Sequence, residues 1–245
     1  MSPWGSLQDR DLHAIEEMDR ADCDSERLNK TYARFPVVNS LLSGWRGTYH
    51  QRIRPLLTAG TKGSLLDIGC GSGDVARRLA LWAQQDGFTL EVTAIDPDAR
   101  AYAFASQARG VDGVTYRQAH SSELVREART YDIVISNHIL HHLDSGQFEG
   151  VLRDSESLSK SLVLHNDLNR SNVAYLLFAA GFWPLGLGSY IWGDGLTSIK
   201  RSYTAAELAS AVPDEWRVER NGPWHNLLVH ERRLAVTQDQ RQEHA

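Results

Sequence analysis

The chain has only two cysteines, Cys23 and Cys70, in 245 residues. That is too few for a disulfide framework, so both read as free thiols and a reducing cytoplasm is the expected location. There is no excess of basic charge either. The formal net charge is −5, with no run or stripe of Lys and Arg, which argues against a nucleic-acid surface. Residues 1–20 are acidic and polar without an apolar core, so no secretory signal is evident. One stretch, Ser171 to Gly193, has no charged side chain, but Pro184, Gly181, Gly186, Gly188 and Gly193 interrupt it and disfavour a membrane span. What remains is an ordinary globular composition, 42 % hydrophobic and 23 % charged, long enough for one sizeable core with a cap.

The most informative segment is Leu65-Leu66-Asp67-Ile68-Gly69-Cys70-Gly71-Ser72-Gly73-Asp74. An apolar run that ends in an acid and breaks into alternating glycines reads as a buried parallel strand entering a tight turn. Asp74 to Gln85, with Val75, Ala76, Leu79, Ala80 and Ala83 on one face, reads as the helix that follows. The glycines remove Cβ atoms where the backbone turns sharply and lies against a ligand. A dinucleotide fingerprint would need its third glycine where Asp74 stands. Asp67 suits a cationic group better than a pyrophosphate, and a ligand carrying an ammonium and a sulfonium, such as S-adenosylmethionine, meets these demands.

Two further segments agree. Leu90 to Ile95 is strand-like and ends in Asp96-Pro97-Asp98, where an acid is placed to accept both ribose hydroxyls. Tyr131-Asp132-Ile133-Val134-Ile135-Ser136-Asn137-His138 is a third strand-like run. With these three elements the sequence resembles the class I S-adenosylmethionine-dependent methyltransferases, clearly over residues 60–165. The resemblance implies an α/β fold: a Rossmann-like, seven-stranded, mostly parallel sheet with an antiparallel C-terminal hairpin and an N-terminal helical cap. It implies a cofactor site at Asp67, Gly69, Cys70, Gly71, Gly73, Asp96, Pro97 and Asn137. The family usually has an acid after the third strand to meet the adenine amino group; here His120 or Ser121 takes that position.

Strands are expected at Ser64–Ile68, Leu90–Ile95, Val114–Arg117, Asp132–Ser136 and Ser161–His165. Arg217–Arg220 and Leu227–His230 pair as a hairpin around Asn221-Gly222-Pro223, and Thr204 with Glu207 forms a capping box for the helix Ala205–Ala211. The N-terminal extension, residues 1–58, begins with about ten frayed residues. Leu28, Tyr32 and Phe35 recur at helical spacing until Pro36 stops or kinks that helix. A second helix runs from Val38 to Ile53. These helices either pack on the sheet or cap the substrate side with Arg46, Tyr49 and Arg52 facing the pocket. The core spans 59–234, with a lipophilic insertion at about 171–203 that reads either as a buried crossover helix and loop or as a lid for a lipophilic acceptor resting on a membrane surface. Residues 235–245 form a polar tail.

Two polar clusters fall where an acceptor would approach. In Asn137-His138-Ile139-Leu140-His141-His142, a helix would put His138, His141 and His142 on one face. These imidazoles read as packed beside the pocket, as a general base for a phenolic or enolic acceptor, or as metal ligands. The segment is similar to one in ubiquinone-pathway O-methyltransferases that is associated with a divalent ion; imidazoles in place of carboxylates disfavour magnesium and suit zinc. The metal reading ranks last, and no metal site is assigned. In the second cluster, His165 and Asp167 point the same way from a strand end, as acceptor-site residues or as a helix cap. Arg201 either holds an acidic acceptor or pairs at the surface.

The function expected is methyl transfer from S-adenosylmethionine to a small aromatic or lipophilic acceptor, at a phenolic or enolic oxygen, as in polyketide and quinone pathways. A carbon acceptor on a quinone or polyketide ring and a non-catalytic cofactor-binding module are the alternatives. The chain is expected to be a monomer or homodimer.

Overall fold

The structure, a computed structural model, describes residues 7–232; the polar tail and residues 1–6 of the ten expected to fray lie outside the described residues, whereas residues 7–10 are held, Arg170 donating to the Leu7 and Gln8 carbonyls and Arg10 to that of Arg201. The chain enters through a short turn, Glu17–Asp19, then α1 (Ser25–Leu42) and α2 (Trp45–Thr48). From there strands and helices alternate: β1 (Lys62–Ile68), α3 (Asp74–Gln85), β2 (Thr89–Asp96), α4 (Ala99–Gln107), β3 (Val114–Gln118), α5 (Ser121–Arg126), β4 (Tyr131–Asn137), α6 (Ser145–Leu158) and β5 (Ser159–Leu168). Three helices, α7 (Asn172–Gly181), α8 (Trp183–Gly186) and α9 (Ile191–Arg201), precede α10 (Ala205–Ala211), β6 (Arg217–Asn221) and β7 (His225–Glu231).

The seven strands lie in the order β3-β2-β1-β4-β5-β7-β6. β1 to β5 are mutually parallel, and β7 runs antiparallel to both β5 and β6. This is the expected Rossmann-like sheet. Both faces are buried, which is why β1, β4 and β5 read as near-continuous apolar runs. Leu65, Ile133, Ile135 and Leu164 pack against Leu79 and Ala83 of α3. Leu66, Val134 and Val163 face Phe148 and Leu152 of α6. The chain builds outward from β1 to β3, then returns to β4, so the strand order reverses between β1 and β4 and leaves a crevice beyond their carboxyl ends.

The N-terminal helices differ from the expectation. α1 runs through Pro36 to Leu42 instead of ending there. Tyr32 and Asn39 are buried on either side of the proline, and the Arg78 guanidinium donates to the Pro36 carbonyl at 2.5 Å, so tertiary contacts hold the helix across the missing N–H. The break comes at Gly44, which adopts a left-handed φ of 70°. Arg46, Tyr49 and Arg52 do not face the cavity. Arg46 stacks over the Trp82 ring, the Tyr49 hydroxyl donates to Asp86 at 3.0 Å, and Arg52 pairs with Glu219 and Glu231. The segment after Gly44 packs Trp45, Tyr49 and Ile53 onto the α3 side of the sheet, whereas α1 itself reaches the crevice.

Within the lipophilic stretch, Phe178 and Ile191 turn inward, while Val173, Leu176, Leu177, Trp183 and Leu187 are exposed. Among the described residues no helix is long and apolar enough to cross a membrane.

Candidate active site

A cavity of about 510 Å³ occupies the crevice, within the usual range of ligand sites, ~300–1,000 Å³. Its floor is the turn after β1. Gly69, Gly71 and Gly73 all have positive φ, at 68°, 52° and 70°, a region that L side chains rarely enter. Space is a second constraint: a Cβ on Gly69 would lie 2.6 Å from Ile139 Cγ2, and one on Gly73 2.5 Å from the Tyr116 ring. Gly69 and Gly71 line the cavity with Cys70. Gly73 stands behind it, as the N-cap of α3. Burial pushes the Cys70 thiol up, and the Asp67 and Asp96 charges add to this.

Two carboxylates face the cavity from the strand ends. Asp67 is 1 % exposed, and neither of its oxygens has a hydrogen-bond partner among the described residues. Burial raises its pKa well above the usual carboxylate range, and the Asp74 and Asp96 charges raise it further. An unpartnered buried carboxylate is costly, and a cationic ligand group is what would complete it. Asp96 is prepared differently: it accepts the backbone N–H groups of Gly71 and Asp98 at 2.9 and 3.0 Å. Asp74, in the position that a dinucleotide site would give to glycine, is a structural residue that accepts from Ser72 and from Asn39 of α1.

The loop after β3 brings Ala119, His120 and Ser121 to the cavity wall. His120 starts α5, its backbone N–H donating to Glu123, and the Ser121 hydroxyl donates to Asp154 at 2.6 Å. Pro97 lines the wall beside them. Asn137 joins an amide network that no local sequence pattern announces. Its Oδ1 accepts from Trp45 Nε1 and Asn166 Nδ2, and its own amide reaches Asn39 at 3.4 Å. Asn166 and Asn221 both donate to the Ser43 carbonyl, which ties the end of α1 to the sheet.

The three histidines do not share one helical face. His138 takes a left-handed φ of 59° at the end of β4, and a 3-10 turn, Leu140–His142, follows. The reversal sends His138 onto His225, with Nε2 to Nε2 at 2.7 Å and the rings stacked. Burial, with the neighbouring His141 and His142 charges, brings His138 down to about 4. His141 and His142 turn instead toward Glu16, from the N-terminal segment. Glu16 Oε1 lies 3.5 Å from His141 Nε2 and 3.6 Å from His142 Nε2. Carboxylates hold the other ring nitrogens: Asp167 meets His141 Nδ1 at 2.6 Å, and Asp19 meets His142 Nδ1 at 3.0 Å. Burial alone would lower His141, but the Asp167 charge and hydrogen bond, with Glu16, outweigh it and lift it to about 9. Burial would likewise raise Asp167, and the His141 charge holds it at about 2.

Asp167 therefore lies behind His141, not on the cavity wall; its carboxylate accepts the His141 backbone N–H at 2.9 Å, and the helix that follows β5 is capped by Ser171 instead. His165 is farther away: it is buried, its Nδ1 shares a hydrogen bond with Ser136 Oγ at 2.7 Å, and it stacks on Trp216. Burial brings it to about 3, so it stays neutral. Arg201 is neither an acceptor clamp nor a surface pair; it donates to the carbonyls of His141 and His142 at 3.2 Å and fastens their turn. Sequence reasoning missed Glu16 and the α1 and α9 residues Phe35, Val38, Asn39 and Ile199, all of which line the cavity.

Comparison with known proteins bears on the fold and on the central segment of the chain. Residues 65–161 match the model of a family described as "Methyltransferase domain". Residues 65–161 carry a methyltransferase domain. The sequence expectation of a class I S-adenosylmethionine-dependent methyltransferase, with that cofactor, therefore stands, and the unpartnered Asp67 fits the cofactor's ammonium. Among solved structures, the domain's fold is shared with magnesium protoporphyrin IX methyltransferase from Synechocystis PCC 6803 with bound SAM. The TM-score there is 0.53 at 14 % identity, over 87 % of this chain and 99 % of that one. Human N-acetylserotonin methyltransferase in complex with SAM aligns with a TM-score of 0.57 at 13 % identity, covering 84 % of this chain and 56 % of that one. The plantazolicin methyltransferase BpumL, in complex with a triazolic desmethylPZN analog and SAH, aligns at 0.53 and 15 % identity, over 85 % and 96 %. No curated protein matches the sequence.

Proposed function

We propose that this methyltransferase methylates a phenolic or enolic hydroxyl on a small aromatic or lipophilic acceptor. The observation that carries the reading is the make-up of the cavity. Phe35, Val38, Leu42, Leu143, Leu168, Phe178 and Ile199 give an apolar wall, and Glu16, His141 and His142 form a polar cluster in the same space. Such a site takes an apolar body and fixes one polar group. Bound S-adenosylmethionine supplies an electrophilic methyl on sulfur, the C–S pair staying with sulfur as the acceptor's oxygen gains the methyl, and the acceptor's proton is what the protein must remove. Asp67 and Asp96 hold the cofactor's cationic and ribose groups. The residues of α1, α7 and α9 orient the acceptor and exclude water, which accounts for most of the rate in a displacement of this kind. The Glu16–His141–His142 cluster receives the acceptor's hydroxyl and promotes the loss of its proton. Relatives named for magnesium protoporphyrin IX, N-acetylserotonin and plantazolicin support a small-molecule acceptor.

The test is product chemistry. The enzyme is incubated with methyl-labelled cofactor and a panel of phenols, enols and quinols, and any labelled product is treated with strong acid. An oxygen-bound label is released and a carbon-bound one is retained; retention throughout the panel overturns the oxygen reading. His142→Gln should lower kcat by ~10²–10⁴-fold while S-adenosylhomocysteine affinity stays at the wild-type value.

A further inference from the structure

We propose that Glu16, His141 and His142 bind a zinc-class divalent cation at the acceptor end of the cavity. Their donor atoms lie within 4.8 Å of one another. Glu16 Oε1 stands 3.5 and 3.6 Å from the two Nε2 atoms. Bonds of ~2.0–2.1 Å to a tetrahedral centre would space the donors roughly 3.3–3.4 Å apart, so the two carboxylate–imidazole pairs need to close by only a few tenths of an ångström.

The second observation is how the imidazoles are held. Asp167 and Asp19 each take the Nδ1 side of one ring, at 2.6 and 3.0 Å. Carboxylates in that outer position hold the Nδ1 proton and make the ring more basic, so that a cation binds at Nε2 by displacing the proton there. His141 Nε2 is buried without a hydrogen-bond partner among the described residues, although His141 is only 2 % exposed. It lies within 4.8 Å of the donor atoms of Glu16 and His142. Ser198 Oγ donates to Glu16 Oε1 at 2.8 Å, and Arg201 pins both histidine carbonyls, so α9 sets the position of all three ligands.

Two imidazoles and one carboxylate suit zinc better than magnesium. The protein supplies three ligands and the cavity leaves a fourth position open, which is the arrangement of a catalytic ion and not of a structural one. Building on the proposed function, the open position takes the acceptor's hydroxyl oxygen. The cation polarises the O–H bond so that its proton leaves to solvent; the oxygen then takes the methyl, and the C–S pair remains on sulfur. Because Glu16 comes from the N-terminal segment, the ion would also fasten that segment over the cavity.

The experiment uses the full chain. The protein is loaded with zinc or cobalt(II), dialysed, and assayed for metal content, visible spectrum and zinc affinity by competition with a chromogenic chelator. We expect one ion per chain and the intense visible bands of a four- or five-coordinate cobalt site. His142→Gln and Glu16→Gln should each weaken zinc binding at least tenfold, and Asp167→Asn, a positioning change, by ~10–100-fold. His50→Ala, an exposed histidine elsewhere, should bind as the wild type does. A thermal shift with S-adenosylhomocysteine reports which variants are folded; if none is, the cobalt spectrum of the unmutated chain decides. No bound ion, a six-coordinate cobalt spectrum, or affinity unchanged in folded His142→Gln and Glu16→Gln overturns the site. Zinc binding needs no acceptor, so the two readings fail separately. Bound zinc with only carbon-methylated products removes the oxygen reading and keeps the site, and the reverse result removes the site alone.

Discussion

The carboxylate of Asp96 accepts the backbone N–H of Gly71 at 2.9 Å, joining the end of β2 to the glycine turn after β1. The same side chain shapes the cavity floor and is the acid proposed to accept the cofactor's ribose hydroxyls. Asp96→Ala should weaken S-adenosylhomocysteine binding at least tenfold, since each hydrogen bond to a charged group contributes ~1.5–3 kcal/mol and ~1.4 kcal/mol is a factor of ten. Isothermal titration checks this. Wild-type affinity would remove Asp96 from the ribose.

Asp67 should show a conflict between stability and binding. Its buried carboxylate has no hydrogen-bond partner among the described residues, so Asp67→Asn should raise the melting temperature, by about 2–4 °C for each 1 kcal/mol gained in a chain of this size. The same change should cost at least tenfold in S-adenosylhomocysteine affinity. The sign with pH follows from burial and from the Asp74 and Asp96 charges, which place the folded pKa above the unfolded one. The folded state therefore holds the proton more tightly, and Asp67 costs the wild type increasing stability as pH rises from ~3.9 through the raised value. The gap in melting temperature between Asp67→Asn and wild type should widen over that interval. A constant gap, or a less stable variant, contradicts the account.

Gly195 lets α9 lie against the Phe178 ring of α7, where a Cβ would meet Phe178 Cε1 at 2.5 Å. Gly195→Ala should push Phe178 from its place in the cavity wall. We expect a higher KM for the acceptor and unchanged S-adenosylhomocysteine affinity, because the cofactor floor lies on other elements. Equal losses for both ligands would show that the two halves of the cavity are not separable in this way.

Much of the sheet and half of the site could be read from the sequence because their signals are local. The alternation of strand and helix, the three glycines and the strand-end acids Asp67 and Asp96 each declare themselves within a dozen residues. So does the Thr204–Glu207 capping box, which forms as expected. The strands proved longer by one to five residues in total, with β5 reaching Leu168, since pairing with β7 carries it past its apolar run. Other features are decided by tertiary contact. Pro36 looks like a helix stop until the burial of Tyr32 and Asn39 is known. Nothing beside His138 predicts its left-handed backbone, so its separation from His141 and His142 could not be foreseen. Glu16 is one acid among several in a polar segment; only the fold, by setting Asp194 against the backbone N–H groups of Glu17 and Met18 at 2.8 and 3.0 Å, gives it a place beside the histidines.

The position of α1, joined to the sheet through the asparagines around Ser43, has a bearing on how such a protein diversifies. The aromatic residues of the cavity wall, Tyr32, Phe35 and Phe178, come from α1 and α7, on either side of the matched methyltransferase segment. Substitutions there can reshape the acceptor's berth while the turns after β1 and β2 keep their sequence. A change of acceptor could then leave the turns that carry Asp67 and Asp96 untouched, while Asn166 and Asn221, through the Ser43 carbonyl, keep α1 in register with the sheet.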